Sequence, residues 1–404
     1  MSNPLYNVYC RTFQAAFRLA MPLLPWRKPE IIDGENSLKR IPTLLKELKH
    51  ERVIIVTDKG LMSLGLVDGL ISDLKASAIH VVVYDETVPN PTIENIEAAL
   101  KLYHANNCTA IIAFGGGSPM DCAKAVGARV ARPNKAIPKM KGQLKILKKL
   151  PTLIAIPTTS GTGSEVTLAA VVSNSQTHEK YAINDTSLIP RYAVLDPSLT
   201  VKLPPHITST TGMDALTHAV EAFIGSSNTK ETTQASYDAV KLIHENLYEA
   251  YTNPSNIVAR ANMQKASYLA GVAFTRAYVG YVHCVAHTLG GFYGVPHGLA
   301  NAVILPHVLE QFGASAHKKL ALLADHIALT DKSKSEAEKA NAFIQYIREL
   351  NAKMNIPTQL EGIKDEDIPK MVQRALSEGN PLYPVPTIWG TEEMTKIYRI
   401  IQKK

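Results

Sequence analysis

Short apolar runs and helical periodicities alternate through the first half of the chain. Val53–Thr57 (VIIVT), His80–Tyr84 (HVVVY), Ala110–Phe114 (AIIAF) and Leu153–Pro157 (LIAIP) have the length and composition of strands buried on both faces. Between them lie helical spacings such as Ile41–Leu48 and Thr92–His104. Strand and helix in alternation predict a parallel sheet with crossover helices. Pro204–Pro205 interrupts this pattern, and beyond it long helical periodicities dominate: Thr232–Tyr251, Val258–Val272 and Ser335–Asn355, with no strand-like run. The expectation is an α/β domain over residues 28–204 and an all-helical domain over 205–404. Before them, Phe13, Phe17, Met21 and Leu24 recur at helical spacing, so residues 1–27 read as a helical extension.

Composition narrows the class. A chain of 404 residues suits two large domains, and 46% hydrophobic with 20% charged residues is ordinary for a globular core. The net charge of +7 raises the question of an anionic partner. Much of the local excess sits at Lys135, Lys139, Lys141, Lys145, Lys148 and Lys149, where few aromatics are interleaved. No recognisable nucleic-acid motif accompanies the run, so it reads as a solvated face and no nucleic-acid partner is expected. No apolar run reaches bilayer-spanning length, so no stable membrane insertion is expected. Residues 1–29 carry Arg11, Arg18, Arg27 and Lys28 and no acid, while Arg18 breaks the apolar stretch that a signal peptide needs. A surface-packed helix, a membrane-surface contact and an organelle-targeting segment all fit that stretch. Cys10, Cys108, Cys122 and Cys284 are widely spaced, with no Cys-x-x-Cys pair. That argues against a disulfide framework and a thiolate zinc site, and suits a reducing, cytoplasmic setting.

In Ile111–Val126 (IIAFGGGSPMDCAKAV) a buried strand runs into Gly115, Gly116 and Gly117, with Ser118 as a candidate helix N-cap and Pro119 at the first helical position. Bare glycines let phosphate oxygens approach the backbone, and the N–H groups at a helix start bind anions, which is the chemistry of a pyrophosphate site. The run is not the G-x-G-x-x-G fingerprint, and a tight structural turn is the competing reading. Asp58 closes the strand at Val53–Thr57. Its carboxylate suits ribose hydroxyls and repels a 2′-phosphate, favouring NAD over NADP. A plain turn or cap role fits it equally. Pro157–Val166 (PTTSGTGSEV) is too dense in hydroxyls for a helix interior and suits a loop lining a polar ligand.

Asp214 and His218 (DALTH) stand four apart, as do His283 and His287 (HCVAH), and His297 follows in VPHG. Four of the chain's 13 histidines fall between residues 283 and 307; His307, on an apolar stretch, reads as core. Imidazoles with one carboxylate and no thiolate suit Fe²⁺, Zn²⁺ or Mn²⁺. A divalent ion with an open position takes an alcohol oxygen and lowers its pKa, which is what hydride transfer to a dinucleotide requires.

GGGSPMDCAK, IPTTSGTGSEVT, GMDALTHAVEAF and HCVAHTLGGFYGVPHGLANAVILPHV, in that order, resemble the iron-containing (group III) alcohol dehydrogenase family over roughly Lys28 to Tyr398. The resemblance implies a dinucleotide-binding α/β domain followed by an all-α metal-binding domain, the dehydroquinate synthase-like architecture. It implies Fe²⁺ held by Asp214, His218, His283 and His297, and His287 as a proton-relay residue. It implies NAD contacts at Asp58, Asn90, Gly115, Gly116, Gly117, Ser118, Asp121, Thr158, Thr159, Thr162, Thr167 and Lys180, a substrate contact at Phe274, and a homodimer or larger assembly.

The reaction so implied is hydride transfer between NAD(H) and a small primary alcohol or aldehyde. Ala169 is small and apolar where lactaldehyde-type diol reductases carry a polar side chain, which favours a simple aliphatic substrate. The alternatives are a hydroxyacid, semialdehyde or diol dehydrogenase of the same family, or an NAD- and metal-dependent lyase of the dehydroquinate synthase type.

Overall fold

The computed structural model describes residues 3–176 and 179–404. It divides into two compact units, one of Pro25–Lys202 and one of Leu203–Lys404 together with Met1–Leu24. A helix, α1 (Pro4–Ala20), therefore belongs to the same unit as the C-terminal half. Its Cys10 is fully buried, and Arg11 donates to the carbonyls of Val385 and Pro386 at 2.8 Å each.

The unit Pro25–Lys202 holds strands β1 (Glu30–Asp33), β2 (Arg52–Val56), β3 (His80–Tyr84), β4 (Ala110–Gly115), β5 (Gly142–Gln143), β6 (Thr152–Pro157), β7 (Ala169–Asn174), β8 (Glu179–Asn184) and β9 (Tyr192–Leu195). Its helices are α2 (Ile41–Glu47), α3 (Lys59–Ser63), α4 (Asp68–Ala76), α5 (Ile93–Ala105) and α6 (Gly117–Ala131). Six strands form one parallel sheet in the order β1-β9-β6-β4-β2-β3; β5, β8 and β7 form a small second sheet. The unbroken apolar runs of β2, β4 and β6 are explained by burial of both faces, while β3, at the sheet edge, keeps partial exposure. Ile54, Val56, Ile111, Ala113 and Ala155 face one core, and Val53, Ile55, Ile112, Phe114 and Ile156 the other. The four anticipated strands are present, whereas β1, β5, β7, β8 and β9 were not anticipated. β1 carries Glu30 and Asp33, and β7 and β8 alternate buried with partly exposed positions, so none reads as a buried run.

From β2 the chain passes outward to β3 and then returns past β2 to β4. The carboxyl ends of β2 and β4 thus flank the point where strand order reverses, where open parallel sheets bind ligands. Asp58 follows β2 and Gly115 ends β4, so residues far apart in sequence meet at one edge.

The other unit is built on α7 (Pro205–Ile224), α8 (Lys230–Thr252), α9 (Ile257–Ala277), α10 (Tyr281–Tyr293), α11 (His297–Phe312), α12 (Ala314–His326), α13 (Glu336–Lys353), α14 (Ile368–Gly379) and α15 (Thr391–Ile401). Asp214 and His218 lie on α7, His283 and His287 on α10, and His297 starts α11. Pro306 inside α11 leaves the Ala302 carbonyl without its helical N–H donor. The buried amide of Asn351 donates to that oxygen at 2.7 Å. Among the described residues no helix is long and apolar enough to cross a membrane.

Close approach of α11 to α7 depends on Gly298. A Cβ there would lie 2.4 Å from the main-chain carbonyl oxygen of Thr210, an atom that no side-chain rotation can move aside. Gly298→Ala is therefore expected to destabilise the protein by about 1–3 kcal/mol through overpacking. Thermal unfolding should show a lowered midpoint; an unchanged midpoint would mean the two helices separate without cost.

Candidate active site

In the helical unit, one ligand atom from each of Asp214, His218, His283 and His297 lies within 4.8 Å of all the others. Asp214, His218 and His283 are buried, and the His297 side chain keeps 30% of its surface exposed. His218 is held between two rings: Phe274 stacks on it at 4.1 Å between centroids and His283 at 4.5 Å.

Glu221 fixes His283. It lies on α7, seven residues beyond Asp214, on the same face. One carboxylate oxygen accepts from Val282 N at 2.8 Å. The other accepts from Gly280 N at 2.9 Å and lies 2.6 Å from His283 Nδ1. A carboxylate only accepts, so Nδ1 carries the proton and the Nε2 lone pair is left for an ion. The same carboxylate serves the start of α10, whose N-cap Gly280 has no side chain to offer. Gly280 is required because a Cβ would come within 2.7 Å of Glu221 Oε1.

The donor set fits a divalent ion by a direct geometric criterion. The fully buried Asn301 amide nitrogen lies 2.7 Å from Asp214 Oδ1, 3.2 Å from His283 Nε2 and 3.1 Å from His297 Nε2. Three lone pairs therefore converge on one electropositive group. Asn301 Oδ1 is buried without a hydrogen-bond partner. Sequence reading missed Glu221 and Asn301, although both carry the spacing of a shared helix face: Glu221 stands three after His218 and Asn301 four after His297.

His287 stacks on His297 at 5.2 Å and its Nδ1 lies 2.7 Å from Glu378 Oε1, which also accepts from Tyr383 Oη at 3.0 Å. Burial pushes the Glu378 carboxyl up, but His287, the Tyr383 hydroxyl and His283 together more than offset it and the net shift is downward. The carboxylate thus fixes the His287 tautomer, leaving Nε2 as its second functional atom.

In the α/β unit, Gly115 closes β4 and Gly116 and Gly117 follow it, as expected, but the helix begins earlier than Ser118. Gly116 is the N-cap and Gly117 the first helical residue, so Ser118 and Pro119 lie inside α6. The reason is the backbone: Gly115 sits at φ +148 with Pro119 packed so close that a Cβ would meet Cγ at 2.6 Å. Ser118 Oγ instead accepts from Asn90 N at 3.2 Å, and Asn90 Oδ1 accepts from Lys180 Nζ at 2.7 Å. Asp58 caps α3, one oxygen accepting from Leu61 N at 3.0 Å. Thr158 N donates to the Gly115 carbonyl at 3.1 Å. A Cβ on Gly116 would lie 3.4 Å from Thr159 Oγ1, and one on Gly117 3.1 Å from Thr162 Cγ2, so the hydroxyl segment lies directly on the glycine turn.

Asp58, Asn90, Gly116, Gly117, Ser118, Thr159, Thr162 and Lys180 keep some exposure at this edge, while Gly115, Thr158 and Thr167 are buried. Asp121 accepts from Ser164 Oγ and Val171 N at 3.1 Å each, and Thr167 Oγ1 accepts from Lys124 Nζ at 2.9 Å. These two side chains face the protein's own segment. Lys124 was not anticipated; a lone lysine inside an apolar helix pattern carries no sequence cue.

Glu165 is buried beside this lysine, and burial raises its pKa to about 7 despite Lys124's opposing pull. Its folded value lies above its unfolded one. The folded state therefore holds an extra proton between about pH 4.5 and 7 and loses stability as pH rises through that window. Glu165→Gln removes this term. Its unfolding free energy relative to the parent should improve by roughly 1–3 kcal/mol between pH 4 and pH 8. Denaturant titrations at the two pH values check this, and a pH-independent difference would contradict it.

Residues 28–197 match the model for the iron-containing alcohol dehydrogenase family, and residues 208–401 match that for its C-terminal domain. The chain is 38% identical to the 1,3-propanediol dehydrogenase of Citrobacter freundii, over 91% of this chain and 95% of that protein. It is also 38% identical to alcohol dehydrogenase 4 of Saccharomyces cerevisiae (strain YJM789), over 85% of this chain and 90% of that one. A crystal structure of a 1,3-propanediol oxidoreductase superposes with a TM-score of 0.89 at 36% identity, covering 93% of this chain and 98% of that one. The chain belongs to the iron-containing alcohol dehydrogenase family of NAD- and metal-dependent oxidoreductases acting on alcohols and aldehydes.

Proposed function

We propose that the protein interconverts small primary alcohols and their aldehydes with NAD(H), using Fe²⁺ held by Asp214, His218, His283 and His297. The observation that carries this is the convergence of three donor lone pairs on the Asn301 amide, with Glu221 fixing the His283 tautomer. The same three nitrogens and one carboxylate would also accept Zn²⁺ or Mn²⁺. When bound, the ion supplies Lewis acidity toward the substrate oxygen.

The side chains do the rest. Phe274, stacked on His218, offers an apolar face to an unbranched carbon chain. His287, its Nδ1 held by Glu378, takes the hydroxyl proton at Nε2 during oxidation and returns it during reduction. The carbinol carbon gives its hydride to NAD⁺, so the products are aldehyde, NADH and one proton.

For the dinucleotide, Asp58 accepts from the adenosine ribose, and Gly115, Gly116, Gly117 and Ser118 with the start of α6 receive the pyrophosphate. Asn90, Thr159, Thr162 and Lys180 line that cradle, with Asp121, Thr158 and Thr167 in the wall behind it. Residues 28–204 act as the NAD-binding domain and 205–404 as the metal domain, with 1–27 as a packed extension. Ala169 and the similarity to a 1,3-propanediol dehydrogenase support a linear aliphatic substrate. All four cysteines are buried free thiols, which supports a cytoplasmic setting. The exposed apolar row Leu5, Val8 and Leu19 on α1 supports a homodimer or larger homo-oligomer.

His283→Ala should lose most bound metal, measured by elemental analysis after anaerobic Fe²⁺ loading, and alcohol oxidation with it; retention of both would remove His283 from the site. Asp58→Gly should raise the NADP-to-NAD ratio of kcat/KM about tenfold, the worth of one charged hydrogen bond plus relieved repulsion. An unchanged ratio would sink the ribose assignment.

A further inference from the structure

We infer that Lys124 is a positioning residue for the dinucleotide: its buried ammonium locks the hydroxyl-bearing segment after β6 onto the helix that starts at the glycine turn. The inference rests on the reading that this unit binds NAD.

Lys124 is fully buried in α6, yet its Nζ meets four oxygens: Ser164 Oγ at 2.9 Å, Thr167 O at 3.0 Å, Thr167 Oγ1 at 2.9 Å and Ala169 O at 2.8 Å. Carbonyl oxygens only accept, and an ammonium only donates, so the arrangement is satisfied by the charged form. Burial lowers the lysine pKa to about 8, and the ammonium persists at neutral pH. With no lone pair and no solvent, it is neither a nucleophile nor a base.

Asp121, one turn earlier on α6, completes the lock. Ser164 Oγ receives a hydrogen bond from Lys124 and gives one to Asp121 Oδ1, while Val171 N donates to Asp121 Oδ2. At its other end the segment is tied by Thr158 N to the Gly115 carbonyl. Between these anchors Thr159 and Thr162 rest on Gly116 and Gly117, the latter with only 3.1 Å between a notional Cβ and the Thr162 methyl. One helix therefore carries the anion cradle at its first turn and, farther along, the anchor of the wall that covers it. Both walls move as one body, and a ligand that touches both binds a surface already in place. Asp121 and Thr167 hold this wall rather than touch the cofactor.

A buried ion is costly where a methionine would pack. A purely structural lysine predicts that its replacement changes global stability only. Positioning predicts a local effect on the ligand. The test compares the metal-loaded parent and Lys124→Met at low temperature, by NADH fluorescence titration and by amide hydrogen exchange. Lys124→Met should weaken NADH binding at least about tenfold. Exchange should accelerate in residues 158–169 while β4 keeps its protection. NADH binding equal to the parent's overturns the inference, as does loss of binding with exchange accelerated throughout the unit. If Lys124→Met does not fold, Thr167→Val serves: it should weaken NADH binding two- to fivefold with the same local exchange, and unchanged exchange overturns the lock. Failure of the parent to bind NADH would instead sink the dinucleotide reading beneath it.

Discussion

A carboxylate and three imidazoles are brought together inside a helical core, and the residues around them are arranged to hold them. Polar donors buried this close demand partners for every remaining atom. Glu221 meets the demand for His283 and at the same time closes the open end of α10. The Asn301 amide meets Asp214, His283 and His297 together. The glycines at 280 and 298 are consequences of this: a carboxylate must approach one and a neighbouring main chain the other.

The α/β unit solves a different problem. A dinucleotide presents two negative phosphates and two riboses, so the fold must expose backbone N–H groups and place few negative charges near them. The parallel sheet brings the ends of β2, β4 and β6 to one edge, where glycine, hydroxyl and amide groups gather. One level down, Lys124 and Asp121 hydrogen-bond to the segment that lines the edge.

Much of this was legible in the chain. β2, β3, β4 and β6 announce themselves as unbroken apolar runs, and the i, i+4 pairs Asp214/His218 and His283/His287 give the helix faces directly. What stayed hidden depends on tertiary proximity. β7 and β8 are half-exposed, β9 is four residues long, and Ser118 looks like an N-cap until the Gly115 φ moves the helix start back to Gly117. Lys124 gave no cue because its acceptors lie 40 to 45 residues away. Glu221 and Asn301 were within reach of the same spacing argument that found the histidines, extended by one turn.

The most direct test of the account is NADH formation by protein purified without oxygen and reloaded with Fe²⁺, given NAD and a series of linear primary alcohols. The account predicts chelator-sensitive NADH production, restored by adding the ion back, with a chain-length profile that sizes the substrate site. Full metal occupancy with no NADH from any alcohol in the series would contradict it.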